Sequence, residues 1–316
     1  MNYHIFLTLL FFACSSAKEL PVIGILSKPV YSSMSNATIA VDDETGERLI
    51  DGSYVNFLEA GGARVAYIDY RASDEELTEL FKKLDGMLIP GGSASFFNSE
   101  GYSKFALSAK LLLELAIKEN DNGGYFPIWG ICLGFELIMQ LIGENNVLST
   151  NCDCKNYMTT LEFTDKAKFS RLLAHYSPEE LYELSTKPYT YNNHQLYISL
   201  KTFHNNARLS SFFNILATSK DKPGKMAYIA VIEAKKYPIY AVQFHPERNA
   251  YRFYPTTGVD HSREGIRLMQ RMSTFFVEEC RKSKHKFKDI DEEAEHVVYK
   301  GKMVIDPIYG PDYYYS

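Results

Sequence analysis

The chain has 316 residues, of which 46% are hydrophobic, 23% charged and 14% aromatic, with a mean hydropathy of -0.23. Those values exclude disordered, collagen-like and polytopic membrane classes, and a chain this long buries roughly 75% of its extended surface without disulfide staples. The 34 Lys and Arg against 39 Asp and Glu give a net charge of -5, without the basic stripe that nucleic acid selects.

Ile5 to Cys14 is an almost uninterrupted apolar run, followed by Ser15, Ser16 and Ala17. A bilayer span needs about 20 apolar residues, so the run is short for one. Small side chains at Ser15 and Ala17 suit signal peptidase, and residues 1–17 read as a signal peptide cleaved after Ala17, although no Lys or Arg precedes the run. Residues 18–316 are then expected in an oxidising compartment, with Asn36-Ala37-Thr38 as an N-glycosylation sequon.

VIGIL at residues 22–26 reads as a buried first strand. A helix is expected over 53–60, ending at Gly61-Gly62, and a strand over 64–68. Ser73 to Glu76 is a capping-type start for a helix carrying Leu77, Leu80, Phe81 and Leu84 on one face. A strand over 86–89 stops at Pro90-Gly91-Gly92, a helix covers 103–118, a strand 126–131, and a helix 133–142. This alternation predicts an α/β three-layer sandwich, with a mainly parallel sheet and helices on both faces. The region 147–230 reads as mixed strands and loops, 237–244 as a buried strand, and 264–280 as an amphipathic helix. Residues 281–316, charged and then Tyr-rich, read as a peripheral C-terminal tail of a single domain over 18–316.

The strongest local signal is FPIWGICLGFELIMQLIG, residues 126–143. An apolar strand enters Gly130-Ile131-Cys132-Leu133-Gly134 and an apolar helix leaves it, the nucleophile-elbow pattern with Cys in place of Ser. A helix N-terminus at Cys132 favours the thiolate. Such a sulfur needs a base that also protonates the leaving nitrogen, and the base needs orienting. His245 and Glu247 follow the strand 237–244, and strand C-termini share one edge in a parallel sheet. Pro90-Gly91-Gly92-Ser93 also ends a strand, where its backbone N–H groups, with that of Leu133, could face an oxyanion. Each element has a plainer alternative: a buried Cys between packing glycines, a solvated loop, a tight turn.

After Cys14 leaves, the cysteines are Cys132, Cys152, Cys154 and Cys280, too few for a disulfide scaffold. With Cys132 as a working thiol, at most one disulfide closes. A zinc site at Cys152-x-Cys154 lacks a second ligand pair at normal spacing, so no metal is expected.

Together the GICLG elbow, the PGGS turn and the HPE segment resemble the class I glutamine amidotransferase fold. More closely, the chain resembles the γ-glutamyl hydrolase family. PVIGIL, SYVNFLEAGGARV, PGGS, YFPIWGICLGFE, the His194 region and YPIYAVQFHPE occur in that family's order, weakening after about residue 285. The resemblance implies Cys132 as nucleophile, His245 as acid/base, Glu247 as its orienting partner, and Gly92 and Leu133 as oxyanion-hole donors. It also implies that His194 assists at the site, the alternative being a half-buried loop histidine. Glu136, one helical turn after Cys132, would accept from the α-nitrogen of a γ-glutamyl unit, or simply be solvated. The implied reaction is hydrolysis of γ-glutamyl isopeptide bonds in poly-γ-glutamyl folates through a γ-glutamyl thioester. No cofactor is implied, nor a nucleic-acid or membrane partner; a lysosomal or secreted location and a homodimer are. Arg248 is a candidate for meeting the anionic substrate, or a free surface arginine. Two other functions remain open: hydrolysis of small γ-glutamyl amides by the same triad, and non-catalytic binding on the same scaffold.

Overall fold

The computed structural model of the protein describes residues 20–30, 48–144, 146–253, 255, 257–306 and 310–315. The apolar run before Ala17 and the Asn36 sequon lie outside the described residues.

An eight-stranded sheet carries the molecule. In chain order its strands are β1 (Val22–Leu26), β2 (Arg64–Ile68), β3 (Gly86–Ile89), β4 (Ile128–Ile131), β5 (Glu162–Phe163), β6 (Phe213–Lys220), β7 (Ala227–Ala234) and β8 (Ile239–Val242). Across the sheet they run β5-β6-β7-β8-β4-β3-β1-β2. From β8 through β4, β3 and β1 to β2 every pairing is parallel, whereas β7, β6 and β5 extend the β8 edge antiparallel. Side chains alternate between the faces, as a period of two requires. Trp129 and Ile131 pack with Tyr54, Phe57, Met272 and Phe276 on one face, while Ile128 packs with Leu113, Phe126 and Met139 on the other. Helices Gly52–Ala60 and Arg263–Cys280 cover the first face, and Asp74–Phe81, Lys104–Asp121 and Leu133–Gly143 the second. This is the expected three-layer α/β sandwich.

The expected capping start is present: Ser73 accepts from the Glu76 N–H, and Glu76 reaches back to the Ser73 N–H at 2.8 Å. The strand expected over 237–244 is shorter, since pairing with β4 ends at Val242. The C-terminal stretch, expected to be peripheral, contributes strands Lys302–Asp306 and Gly310–Tyr315 to a second sheet with Arg48–Asp51 and Lys28–Pro29. Its aromatics account for that docking: Tyr315 stacks on Tyr67 with ring centroids 3.6 Å apart, and Tyr313 is buried. Among the described residues no helix is long and apolar enough to cross a membrane.

Candidate active site

Three adjacent parallel strands deliver the candidate residues to one sheet edge. β3 runs into Pro90-Gly91-Gly92, β4 into Cys132, and β8 into the turn containing His245 and Glu247. The Cys132 N–H donates to the Val242 carbonyl at 2.9 Å, extending the β4–β8 pairing by one residue.

Cys132 sits at φ 50°, ψ -104°, immediately before helix Leu133–Gly143. A side-chain-bearing residue there stores about 1–3 kcal/mol of strain, and its surroundings must hold it in place. The flanking glycines do so by allowing close backbone approach. A Cβ on Gly134 would collide with the Ile89 carbonyl, and one on Gly130 would sit 2.7 Å from Ile138 Cδ1 and 2.9 Å from the Gly134 carbonyl oxygen.

Gly91 shows how near the thiol and imidazole are. A methyl group on it would lie 2.8 Å from His245 Cε1, 3.2 Å from Cys132 Cβ and 2.5 Å from the Tyr54 hydroxyl. Both side chains therefore converge on one bare glycine, separated by no more than the first two distances combined. His245 Nδ1 donates to Glu247 Oε1 at 2.8 Å, leaving Nε2 as the ring's proton acceptor. Glu247 does not get there along extended chain, as its two-residue spacing suggested. The backbone turns, with the Arg248 N–H on the His245 carbonyl at 3.3 Å and Glu247 at φ -70°, ψ -23°.

Burial holds the His245 imidazole below its usual range, helped by the Arg248 cation and opposed by Glu247. Burial also pushes the Cys132 thiol up, with Glu136 and Glu247 adding to the effect and Arg248 opposing it. Burial thus works against the thiolate expected from the helix N-terminus. The Leu133 N–H on the sulfur does act to lower its pKa, but loss of water outweighs it. Both shifts favour the uncharged forms of the thiol and the imidazole.

A cavity of about 640 Å³ opens over Cys132, lined by Gly92, Leu133, Glu136, Lys155 and His194 among others. Glu136 is buried and accepts from Gln243 Nε2 at 2.9 Å, and burial pushes its carboxyl up to about 8. It is protonated at neutral pH, not the solvated surface group of the plainer expectation. His194 ends strand Thr190–His194 and is buried, so the half-buried loop alternative is also set aside. Its Nδ1 lies 2.8 Å from the Leu196 carbonyl, its ring meets Tyr228 edge-on, and burial lowers it to about 4. Arg248 is outside the cavity lining: it packs over the Tyr191 ring, 3.7 Å from Glu247 Oε1, behind the imidazole.

Cys152 and Cys154 form a disulfide, while Cys132 and Cys280 are free and buried. The two joined sulfurs and a His194 ring nitrogen lie within 4.8 Å of one another. Sulfurs bonded to each other have no thiolate to offer a metal.

Sequence reasoning missed the layer beneath the site. The Tyr54 hydroxyl accepts from the Gly91 N–H at 2.9 Å and lies 3.4 Å from His245 Nδ1. Lys28 Nζ donates to the Gly91 carbonyl at 3.2 Å. Around Lys28, Arg252 pairs with Asp51 and, at 3.4 Å, with Asp312 of the C-terminal strand. Lys28 follows β1 as Cys132 follows β4, which is the one signal that could have brought it forward.

The class-I glutamine amidotransferase family model matches residues 51–255. Gamma-glutamyl hydrolase B of Dictyostelium discoideum is 41% identical over 280 residues, covering 89% of this chain and 76% of that protein. Gamma-glutamyl hydrolase of Mus musculus is 37% identical (92% and 86% of the two chains), and that of Homo sapiens 36% (92% and 85%). With an elbow cysteine, a facing histidine and these relatives, the chain belongs to the γ-glutamyl hydrolase family, within the class I glutamine amidotransferases.

Proposed function

We propose that the protein hydrolyses γ-glutamyl isopeptide bonds of poly-γ-glutamyl folates, with Cys132 as nucleophile, His245 as acid/base and Glu247 as its orienting partner. The observation that carries this is the convergence of Cys132 and His245 on Gly91 at the edge of a substrate-sized cavity. As Sγ attacks the γ-carbonyl carbon, its proton passes to His245 Nε2, and Glu247 stabilises the imidazolium through Nδ1. The tetrahedral oxyanion takes the N–H groups of Leu133 and Gly92. The imidazolium then protonates the departing amine, leaving a γ-glutamyl thioester on Cys132. Water, deprotonated by the same imidazole, attacks the thioester and releases the γ-glutamyl acid and the free thiol.

Polyglutamate carries one α-carboxylate per residue, and Lys155 is the only lysine or arginine among the described lining residues of the cavity. It meets that anion, while His194 and Glu136 bind the γ-glutamyl unit being transferred. Secretion or lysosomal delivery with cleavage after Ala17 is supported by the Ile5–Cys14 run and by the Cys152–Cys154 disulfide, a bond that persists in oxidising compartments. Asn36 is then a glycan acceptor, and a homodimer follows from the family resemblance alone.

Incubation with a folate pentaglutamate, resolving products by chromatography over time, tests the reading. Progressive loss of glutamyl residues supports it. An untouched pentaglutamate beside rapid hydrolysis of small γ-glutamyl amides would assign the narrower activity, and inertness toward both a binding role.

A further inference from the structure

We propose that Lys28 is a positioning residue for the oxyanion site: its buried ammonium grips the Gly91 carbonyl from behind and so aims the Gly92 N–H, at the far end of the same peptide unit, into the cavity. The proposal rests on the reading that Cys132 attacks a carbonyl beside Gly92.

The peptide geometry carries most of the inference. There are no cis peptides among the described residues, so the Gly91 carbonyl and the Gly92 N–H point in opposite directions. Lys28 Nζ holds that carbonyl at 3.2 Å, and the Tyr54 hydroxyl takes the preceding N–H of Gly91 at 2.9 Å. Both anchors lie behind the turn, and the Gly92 N–H has no acceptor among the described residues. Gly92 is exposed where it lines the cavity, so that N–H is open to an acceptor arriving there.

Packing fixes the same orientation. Gly92 has φ 148°, and a Cβ on it would meet Lys28 Cδ and Nζ at 2.9 Å each. The lysine stem thus occupies the space a side chain would need, and the bare glycine lets it do so. Lys28 is itself buried, and that burial, with Arg252 and Arg248 nearby, lowers its pKa, while Asp51 and Asp312 oppose the shift and favour its charged form. A cation one peptide away from the developing oxyanion also strengthens the Gly92 N–H as a donor, because a charge-assisted bond polarises the amide.

The test compares Lys28→Met, Lys28→Gln and wild type on a γ-glutamyl substrate, with Cys132→Ala as control. Loss of a whole oxyanion donor costs about 10²–10³-fold in kcat, so a misaimed one should cost about 10–100-fold. Lys28→Met is expected to lose that much kcat with KM within about twofold, and to bind a γ-aldehyde analogue, whose thiol adduct occupies the oxyanion site, correspondingly more weakly. Product glutamate should bind as before. Lys28→Gln, which keeps a neutral donor, should lose less, about 3–10-fold, and it serves alone if the Met variant folds poorly. Unchanged kcat, or a loss of activity that spares aldehyde binding, overturns the proposal. An active Cys132→Ala protein would instead overturn the underlying mechanism, so the two failures are distinguishable.

Discussion

Cys132 donates its backbone N–H to the Val242 carbonyl at 2.9 Å, and that bond joins two distant stretches of sequence into one site. Because β4 and β8 are parallel neighbours, the residues that follow them leave the sheet side by side. The turn after β3 closes the third side, and bare Gly91 is the point on which the Cys132 and His245 side chains converge.

The pH profile follows from the burial of the imidazole. Burial and Arg248 hold His245 below its usual 6.5, so the acid limb of kcat/KM should fall below that pH. Arg248→Gln removes the neighbouring cation, makes protonation easier, and should move the limb upward by about half to one unit. A limb that stays put or moves down would contradict the placement of Arg248 behind the imidazole.

Glu136 gives a stability signature of the opposite slope from a buried histidine. Its folded carboxyl holds a proton to about 8, whereas unfolded it ionises near 4.5. Between those values the native state binds more protons, so this group's contribution to stability falls as pH rises. His194, lowered from 6.5 to about 4, contributes stability that is lost as pH falls through that window. Glu136→Gln should flatten the loss of stability between about pH 5 and 8 in denaturant titrations; an unchanged slope would contradict a buried, protonated Glu136.

Gly134→Ala should destabilise the fold, because the added methyl meets the Ile89 carbonyl, a backbone atom that cannot rotate away. About 3 kcal/mol is expected from such overpacking. A variant with wild-type melting behaviour would mean that helix Leu133–Gly143 does not press on β3 as described.

Lys155→Met should raise KM for pentaglutamates by about 3–10-fold, the loss shrinking at high salt, with little change for a substrate lacking a second α-carboxylate. Equal effects on both substrates would remove Lys155 from polyglutamate recognition.

What the sequence made legible was the chemistry that ends strands. Cys132, His245 and the Gly91-Gly92 turn each follow an apolar, β-branched run, and the parallel topology brings such ends together. Helix boundaries were read within a few residues where capping was explicit, as at Ser73 and Glu76. The direction of β5, β6 and β7 was not legible, because alternating apolar residues look alike in parallel and antiparallel strands. Nor were Tyr54, Gln243 and Lys28: each acts through one tertiary contact that leaves no local pattern. The burial that opposes a Cys132 thiolate was not legible, because a helix N-terminus is visible in sequence and exclusion of water is not. Glu247 was found through spacing that assumed extended backbone, although the chain reaches the same contact through a turn.

The most direct measurement is rapid acid quench of wild-type enzyme turning over a folate polyglutamate, followed by peptide mass mapping. A γ-glutamyl adduct on the wild-type Cys132 peptide, absent with Cys132→Ala and lost with His245→Gln, which removes the group that takes the thiol proton and protonates the leaving amine, is the expected result. Full turnover by Cys132→Ala, or an adduct on another residue, would contradict the nucleophile on which the mechanism stands.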